Sequence, residues 1–456
     1  MFFRLSGVKR TLPGLAVCVC AVFSLLSCSG SGTSGNHPSG LPLRAFVSNP
    51  VSPTAIGHGP VLDIVNASRD FLSGFVVNLA SLSGSVADAG MMALSPKRDR
   101  TIVVSPSDGR LAIVDNATEA VSSAVTLPGT TQSVFVWTDD KTAFAAVPSA
   151  GVTGASPGAV VRVDITTASV TATIPVPVVR FIAPSPNGDQ ILAFSDNSNL
   201  ISVITPSLIG VGPQTPTQPC SSTQAAVCTV SDPSLDHPIG AVFNSTGTTA
   251  YIISCGPECG GSAAAISVLT LGGGSTPPSF TGQVALIPGG ATTALLQGTT
   301  LYVAGTPPAP QNSCGASLPA NLGVLAPSCG QLTVVNTTIM AVATSVQISD
   351  GTHGLLVMGS NAQLFVGSIN CTNPGSICLN IVDTSSGSVT QSNVHPTTDG
   401  GNVTGIAPIP NRTVVYVCVG GRLRVYDTTT DTLQTIPSIG QPDVVGEAVD
   451  VKVVDF

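Results

Sequence analysis

The chain has 456 residues, of which 43% are hydrophobic and 9% are charged, and its formal net charge is −8. A chain this apolar is not disordered, and an acidic chain without a run of basic residues is not expected to bind nucleic acid. The composition is uniform after residue 43, with frequent Gly and Pro and no linker. Although the length allows several domains, we predict a single β-rich domain over residues 43–456.

Residues 1–27 have the features of an export signal. The first ten residues contain three basic side chains. They precede an apolar stretch at residues 15–26, which is too short and wrongly flanked for a membrane-spanning helix. We therefore predict a signal peptide over residues 1–27.

The end of this segment resembles the lipobox of bacterial lipoproteins. Leu25-Leu26-Ser27-Cys28 matches the pattern, and the resemblance implies cleavage that leaves a lipidated Cys28 as the new N-terminus. An ordinary signal peptide that contains a Cys is the alternative. Residues 28–42 are rich in Ser and Gly, which predicts a flexible tether. Ser29 resembles the signal that sends lipoproteins to the outer membrane, so we expect an exported protein anchored by lipid to the cell envelope.

A turn-forming residue that closes a β-rich run recurs eight times along the chain. Apolar or alternating residues precede each one, as residues 111–114 precede Asp115. Asp, Asn and Thr side chains bond to backbone N–H groups within turns, which is typical of hairpins. Successive turns lie roughly 40 to 65 residues apart, the period of a four-stranded propeller blade. The eight residues are Asn66, Asp115, Asp164, Thr205, Thr270, Asn336, Asp383 and Asp427.

The third of these units illustrates the four strands. Residues 142–147, 159–163 and 169–174 are predicted as three successive strands. Phe181 then begins the next unit, and Asn187-Gly188 is a strong signal for a two-residue hairpin. We therefore predict an all-β fold, a β-propeller of four-stranded blades.

The two ends of the chain are predicted to complete one blade. Residues 44–47 have the register of a second strand, whereas residues 448–454 have the register of a first strand. The C-terminal strand is therefore expected to join the first blade and to remove the unpaired edges of an open ring. The count gives eight blades, with seven as the alternative if one atypical unit is an excursion.

Several of these segments resemble the YVTN family of β-propeller repeats. Phe46-Val47-Ser48-Asn49 stands at the position that gives the family its name. The resemblance weakens in units four to six, where Thr or Asn replaces Asp and the loops are long. It implies the propeller fold, which hosts lactonases, electron-transfer enzymes and scaffolds, and it is therefore weak for function. The other matching segments are residues 170–176, 185–188, 382–384 and 426–428.

Cysteine usage agrees with export to an oxidising compartment. Eight cysteines form four pairs that are close in sequence and are assigned to loop insertions, which predicts disulfides. A metal site is the alternative for one of these pairs. Cys418 is predicted to be a small buried hydrophobe. The predicted disulfides join Cys220 to Cys228, Cys255 to Cys259, Cys314 to Cys329 and Cys371 to Cys378.

Loop lengths predict which face of the propeller is functional. In a four-stranded blade, the connections from the second to the third strand emerge on the same face as the connections between blades. All long insertions are assigned to these two kinds, and the opposite hairpins are predicted to be short. Elaborated loops on a rigid scaffold often carry binding sites, although tolerated loop drift is the alternative. The insertions span residues 49–60, 148–158, 255–264, 306–330 and 368–378 within blades, and residues 212–238 and 391–402 between blades.

Polar residues of the loops between blades are the candidates for a ligand site in the central mouth. Carboxylates that converge there would suit a hard cation such as calcium, but solvated loop acids are commoner, and no cofactor is expected. None of the five His residues has a metalloenzyme spacing. The candidates are Asp88, Arg180, Asp236, His237, Asp350, His353, Asp399, Asp443 and Glu447.

These observations predict a non-catalytic binding or scaffold protein with an unknown protein or small-molecule ligand. The sequence offers no set of nucleophile, base and orienting residue. Gly154-Ala155-Ser156-Pro157-Gly158 matches G-x-S-x-G, but Pro157 has no N–H for an oxyanion hole. The alternative is a lactonase-like hydrolase, for which His237, His353 and Glu447 are the plausible members of a site. Carbohydrate binding ranks lower because aromatic residues make up only 4% of the chain.

Overall fold

The chain forms a ring of eight sheets, each made of four antiparallel strands. The first strands of successive sheets contact one another around the axis. The fold is therefore an all-β propeller, and eight blades are confirmed over the alternative of seven. No helix in the described ranges is long and apolar enough to cross a membrane. The computed structural model describes residues 37–52, 59–80, 86–211, 218–221, 225–272, 276–307, 330–371, 378–387, 389–397, 400–434 and 444–456.

We call the four strands of each blade A to D, from the axis outward. Blade 1 contains β32 (Asp450–Val453), β1 (Arg44–Asn49), β2 (Val61–Asn66) and β3 (Phe71–Asn78). Blade 2 contains β4 (Met92–Leu94), β5 (Arg100–Ser105), β6 (Arg110–Asp115) and β7 (Ala120–Thr126). Blade 3 contains β8 (Ser133–Val136), β9 (Thr142–Val147), β10 (Ala159–Asp164) and β11 (Ser169–Pro175). Blade 4 contains β12 (Val179–Pro184), β13 (Ile191–Ser195), β14 (Leu200–Ile204) and β15 (Val227–Ser231).

The second half of the ring has the same strand order. Blade 5 contains β16 (Pro238–Phe243), β17 (Thr249–Ser254), β18 (Ala265–Thr270) and β19 (Ser279–Leu286). Blade 6 contains β20 (Thr293–Gln297), β21 (Thr300–Gly305), β22 (Gly330–Asn336) and β23 (Ala341–Ile348). Blade 7 contains β24 (Thr352–Met358), β25 (Gln363–Ile369), β26 (Leu379–Asp383) and β27 (Val394–Pro396). Blade 8 contains β28 (Val403–Pro408), β29 (Val414–Val419), β30 (Arg422–Asp427) and β31 (Thr432–Leu433). Short 3₁₀ turns lie at Pro206–Leu208, Gly256–Cys259, Ser360–Ala362 and Gln391–Asn393.

The hydrophobic core lies between neighbouring blades. One cluster of buried side chains joins Ile102 of blade 2 to Val161 of blade 3. Another joins Ala45 of blade 1 to Tyr416 of blade 8. Because both faces of a blade are covered, its inner strands are continuous apolar runs, and β9 and β29 are buried along their whole length.

The eight predicted turn residues all stand at, or directly after, the last residue of a C strand. Six of them accept a hydrogen bond from the backbone N–H two residues later, as Asp383 does from Ser385 at 2.8 Å. Bonds from the Thr166 hydroxyl and N–H lower the pKa of the Asp164 carboxyl. The turn chemistry predicted from sequence therefore marks the C–D hairpins.

The C-terminal strand completes blade 1, as predicted. β32 pairs antiparallel with β1, which brings Asp450 opposite Ser48. The strand is Asp450–Val453 and is therefore shorter than the predicted segment at residues 448–454. The Asp450 carboxylate also accepts the Met92 N–H of blade 2 at 2.7 Å, so the last strand is bonded to two blades.

Buried ion pairs surround this closure. The Arg44 guanidinium of β1 is 2.8 Å from Glu119 of blade 2 and 2.7 Å from Asp455, which follows β32. Arg412 of blade 8 pairs with Asp70 of blade 1. We call these five residues the closure seam, because they join blade 1 to both of its neighbours.

Two insertions assigned to the connections between blades contain D strands. β15 pairs with β14, so most of the segment at residues 212–238 belongs to the C–D connection of blade 4. The prediction that all opposite hairpins are short is therefore wrong for this blade. The missed strand is the short apolar run that includes Val227 and Val230, both of which are buried. Similarly, β27 lies within residues 391–402 and is the D strand of blade 7.

Three of the four predicted disulfides are present among the described residues, joining Cys220 to Cys228, Cys255 to Cys259 and Cys371 to Cys378. Cys314 and Cys329 lie outside the described residues. The prediction that every pair lies outside strands is wrong for Cys228, because this residue pairs with Val203 in the ladder of blade 4. Cys418 is free and buried, as predicted, and burial raises the pKa of its thiol.

Candidate functional site

The candidate functional surface is the face that carries the B–C connections and the connections between blades, which we call the long-loop face. Its B–C connections are long in blades 1, 3, 5, 6 and 7. In blade 8 the same connection consists only of Gly420 and Gly421. The five insertions predicted within blades therefore have the predicted position, while blade 4 adds one long connection on the opposite face.

A cleft of about 280 Å³ opens on the long-loop face between blades 4 and 5. Its walls come from the start of β12, the turn between β13 and β14, and the start of β16. Two of the predicted ligand-binding residues, Arg180 and His237, line it together. The Phe181 ring, which also lines the cleft, is 40% exposed, so the cleft presents apolar surface beside polar groups.

Arg180 is held at one edge of its guanidinium. Its Nε pairs with the carboxylate of Asp196, in the turn between β13 and β14. One terminal nitrogen is 3.5 Å from the Gln132 side chain. The arginine side chain is 43% exposed, so its positive charge is available at the cleft.

Asp236 and His237 form a second fixed pair. The His237 Nδ1 is 2.9 Å from the Asp236 carboxylate, whose other oxygen accepts the backbone N–H groups of Ser262 and Ala263 at 2.6 and 2.8 Å. Partial burial opposes ionisation of Asp236, but the hydrogen bonds from His237 and Ser262 outweigh it and hold the pKa of the carboxyl well below its usual range. Asp236 is therefore ionised and ties the imidazole to the loop of blade 5.

The backbone of His237 is also constrained. Its φ of 54° is in the left-handed region, which is uncommon for a residue other than glycine. Its N–H donates to the Asn199 side chain at 3.0 Å, and its carbonyl accepts the Cys255 N–H at 3.0 Å. Together with the Asp236 contact, these backbone bonds fix the position of the imidazole at the cleft.

His353 is a predicted site residue that the fold buries. Its side chain is 1% exposed, and its Nε2 donates to the Ser349 carbonyl at 3.0 Å. Its Nδ1 has no hydrogen-bond partner in the described part of the chain. Burial lowers the pKa of His353 to about 4, so the ring is neutral near pH 7. Asp350, next to it, is buried as well.

The other predicted residues stay apart in the ring. Asp88 lies between blades 1 and 2, where its carboxylate accepts the Ala89 N–H at 2.8 Å. Glu447 is exposed between blades 8 and 1. Asp399 and Asp443 lie outside the described residues. No group of three or more His, Cys, Asp or Glu side chains that could hold a metal ion occurs in the described ranges, so the convergence on which a calcium site depends is not found there.

Glu258 is a site candidate that the sequence did not reveal. It belongs to the loop closed by Cys255 and Cys259, and its carboxylate accepts the Thr306 N–H of blade 6 at 2.9 Å. The Thr306 hydroxyl donates in turn to the Gly351 carbonyl at 2.7 Å, between blades 6 and 7. Burial raises the pKa of Glu258 to about 7. This carboxyl therefore titrates near neutrality, at the point where the B–C connections of blades 5 and 6 meet.

No protein-family model and no curated protein matches the chain. Among solved structures, dihydro-heme d1 dehydrogenase NirN in complex with DHE is 13% identical with a TM-score of 0.58, covering 90% of this chain and 75% of NirN. Hydrazine synthase of Kuenenia stuttgartiensis is 15% identical with a TM-score of 0.51, covering 79% of this chain and 97% of that one. Periplasmic gluconolactonase PpgL of Pseudomonas aeruginosa is 15% identical with a TM-score of 0.46, and the match covers 90% of this chain and 98% of PpgL.

The likenesses to NirN and hydrazine synthase are weak in sequence and show the β-propeller fold alone. Because propellers support unrelated functions, the activities of these three proteins do not transfer to this chain. The resemblance to YVTN repeats stays a prediction.

Proposed function

We propose that this chain is an exported, lipid-anchored β-propeller that binds a partner through its long-loop face without catalysis. The observation that carries the proposal is the presence of long B–C connections in five of the eight blades, all on one face. A rigid scaffold that elaborates its loops on one face is typical of binding proteins. The cleft between blades 4 and 5 lies on the same face.

The state of the candidate acids and bases supports a non-catalytic role. Asp236 uses its carboxylate to hold His237, Ser262 and Ala263 in place. His353 is buried and donates to a backbone carbonyl. These side chains therefore stabilise loops, and no nucleophile is hydrogen-bonded to either imidazole in the described ranges.

The binding face is tested by photo-crosslinking at paired positions in one blade. A photoreactive residue would replace exposed Thr153 in the B–C connection of blade 3, or exposed Thr167 in the C–D hairpin of the same blade. A second pair in blade 5 consists of Ala263, in the B–C connection, and Thr246, in the A–B hairpin on the opposite face. Defined adducts from Thr153 and Ala263 in whole cells, absent from Thr167 and Thr246, are expected. Adducts from both faces alike would contradict the proposal.

The anchor is tested by the change Cys28→Ala. Wild-type protein is expected to fractionate with membranes, because more than one acyl chain makes attachment stable. The variant should be released or should accumulate as an uncleaved precursor. Normal processing with full membrane retention would show that Cys28 is not the anchor.

A lactonase-like hydrolase is the second candidate, and the pair of Asp236 and His237 favours it. An aspartate that holds Nδ1 of a histidine leaves Nε2 able to take a proton from water. Hydrolysis of glucono-δ-lactone above the uncatalysed rate, lost in His237→Gln without a change in melting temperature, would support this candidate. Equal rates for the two proteins would favour the binding role.

A further inference from the structure

The cleft between blades 4 and 5 contains an arginine that is oriented but not saturated. Asp196 engages only the Nε edge of Arg180, and among the described residues no hydrogen bond engages the second terminal nitrogen. The first terminal nitrogen makes only a long contact of 3.5 Å to Gln132, so the guanidinium still presents its two terminal nitrogens as a fork. Such a fork matches the two oxygens of a carboxylate, and this bidentate arrangement is stronger than a single neutral hydrogen bond.

The wall beside Arg180 is apolar. Phe181, the next residue of β12, exposes 40% of its surface, and Pro238 and Ile239 of blade 5 line the same cleft. An aromatic ring that is left this exposed beside a cavity offers a stacking surface for a planar group. The volume of about 280 Å³ is near the lower end of the range for pockets that hold small organic ligands. One or two fused rings would fit such a space.

The charges near the cleft limit the kind of anion. Asp196 pairs with Arg180, and Asp236 pairs with His237, so each cationic or basic group already has one carboxylate beside it. A dianionic phosphate would be repelled by these two acids, whereas a monoanionic carboxylate meets the Arg180 fork with less repulsion. Since Nδ1 of His237 is engaged, its Nε2 is the ring atom that is left for a ligand.

We infer that this cleft binds a small organic carboxylate with a planar, apolar body, through Arg180 and Phe181. The inference rests on the proposed role of the long-loop face as the contact surface and names the chemistry of one ligand. Arg180 provides the bidentate contact, Phe181 provides the stacking surface, and Asp196 is a positioning residue.

The test is titration calorimetry with 2-naphthoate as the probe. Wild-type protein should bind 2-naphthoate, and the neutral isostere 2-naphthamide should bind about tenfold more weakly or worse, because it cannot form the charged fork. Arg180→Gln should weaken naphthoate binding by about tenfold or more while leaving naphthamide binding almost unchanged. Phe181→Leu should weaken both probes, because it removes the stacking surface.

Arg422→Gln is the matched control, since Arg422 is exposed on the long-loop face in blade 8. It removes the same charge from the same face. It should leave naphthoate binding within about twofold of wild type, because Arg422 belongs to blade 8, away from the cleft, and the effect of separated surface charges is screened by salt. Melting temperatures equal to wild type would exclude misfolding. No naphthoate binding at millimolar concentration, or equal affinity in Arg180→Gln and wild type, would overturn the inference.

The two proposals fail separately. Crosslinks confined to the long-loop face without naphthoate binding would overturn the carboxylate site and leave the contact face intact. Arg180-dependent naphthoate binding with crosslinks from both faces would overturn the contact face and leave the carboxylate site intact.

Discussion

The closure seam and the part of the long-loop face that holds Glu258 and His353, which we call the mouth, both contain partly or fully buried ionisable groups, but these groups have different partners. In the seam, Arg44 bonds to two carboxylates and to the Asn116 carbonyl, and Asp70 accepts from Arg412 and from the Tyr416 hydroxyl. In the mouth, Glu258 accepts one backbone N–H and His353 makes one hydrogen bond. Within the described part of the chain, Arg44 and Asp70 therefore have several hydrogen-bond partners, whereas Glu258 and His353 have one each.

This difference affects which protonation state is favoured in each region. Desolvation opposes the charge of Arg44, but the carboxylates of Asp455 and Glu119 outweigh it and raise the pKa of the guanidinium. In the mouth, desolvation outweighs the one hydrogen bond of Glu258, and for His353 it outweighs both the Ser349 hydrogen bond and the charge of Asp350, so both groups favour their neutral forms. Stability should therefore depend on pH through the two mouth groups.

The largest expected effect is that of removing the last strand. Deleting residues 447–456 removes buried Val451 and Val453, each stabilising the fold by roughly 1.5 to 3 kcal/mol, and removes the Asp455 partner of Arg44. The free energy of unfolding of a typical domain is about 5 to 15 kcal/mol, so the truncated protein should aggregate or unfold. Deleting residues 29–36, in the predicted tether, should leave the melting temperature unchanged in a calorimetric scan, because it keeps Ser39, which bonds to Glu119 of the seam.

The next largest effect is the difference in stability loss between breaking a buried ion pair of the seam and breaking a partly exposed ion pair. Arg44→Met leaves Glu119 buried without its cationic partner and should lower the free energy of unfolding by about 3 to 5 kcal/mol. Arg100→Gln removes the partner of Asp115 in a pair whose side chains are 33% and 22% exposed, and should cost about 0 to 1 kcal/mol. Denaturant titrations measure both values, and equal losses would refute the special role of the seam.

A smaller effect appears in the pH dependence of the mouth. Glu258 has its pKa raised from 4.5 to about 7, so its contribution to stability is present at low pH and is lost as pH rises through this window. His353 has its pKa lowered from 6.5 to about 4, so its contribution is present above pH 6.5 and is lost as pH falls. Between about pH 4.5 and 6.5, a rise in pH therefore lowers the free energy of unfolding through Glu258 and raises it through His353.

Glu258→Gln keeps an acceptor for the Thr306 N–H and removes the titration. The stability of this variant relative to wild type should increase as pH rises from about 4.5 to 7, when measured by urea unfolding at several pH values. Asp189→Asn, at an exposed hairpin residue, is the control and should show a constant difference. A constant difference for Glu258→Gln would mean that Glu258 titrates normally.

The repeat and its closure were predictable from sequence because they depend on local chemistry. Six of the eight turn residues bond to the N–H two residues later, an interaction that short segments specify by themselves. The D strand of blade 4 was misassigned because a long insertion separates Val227 from β14, and pairing across it is not local. Thr205, at the start of that insertion, makes no side-chain capping bond.

The site was only partly predictable. Arg180, Asp236 and His237 stand at connections between blades, so their place on the long-loop face followed from the strand count. The chain does not reveal that Phe181 is exposed beside them, because strand periodicity alone does not specify a cleft between two blades. Glu258 was missed for a similar reason, since its burial depends on Thr306 of another blade.

The contrast between seam and mouth is tested most directly by native-state hydrogen exchange at pH 7. Amides of β1 and β32 should exchange only through global unfolding, with a free energy of opening equal to that from denaturant titration. Amides of Gly256 and Gly261, which donate to the carbonyls of Asp236 and Gly256 in connections of the long-loop face, should open at a lower free energy. Seam amides that open more easily than these loop amides would contradict the account.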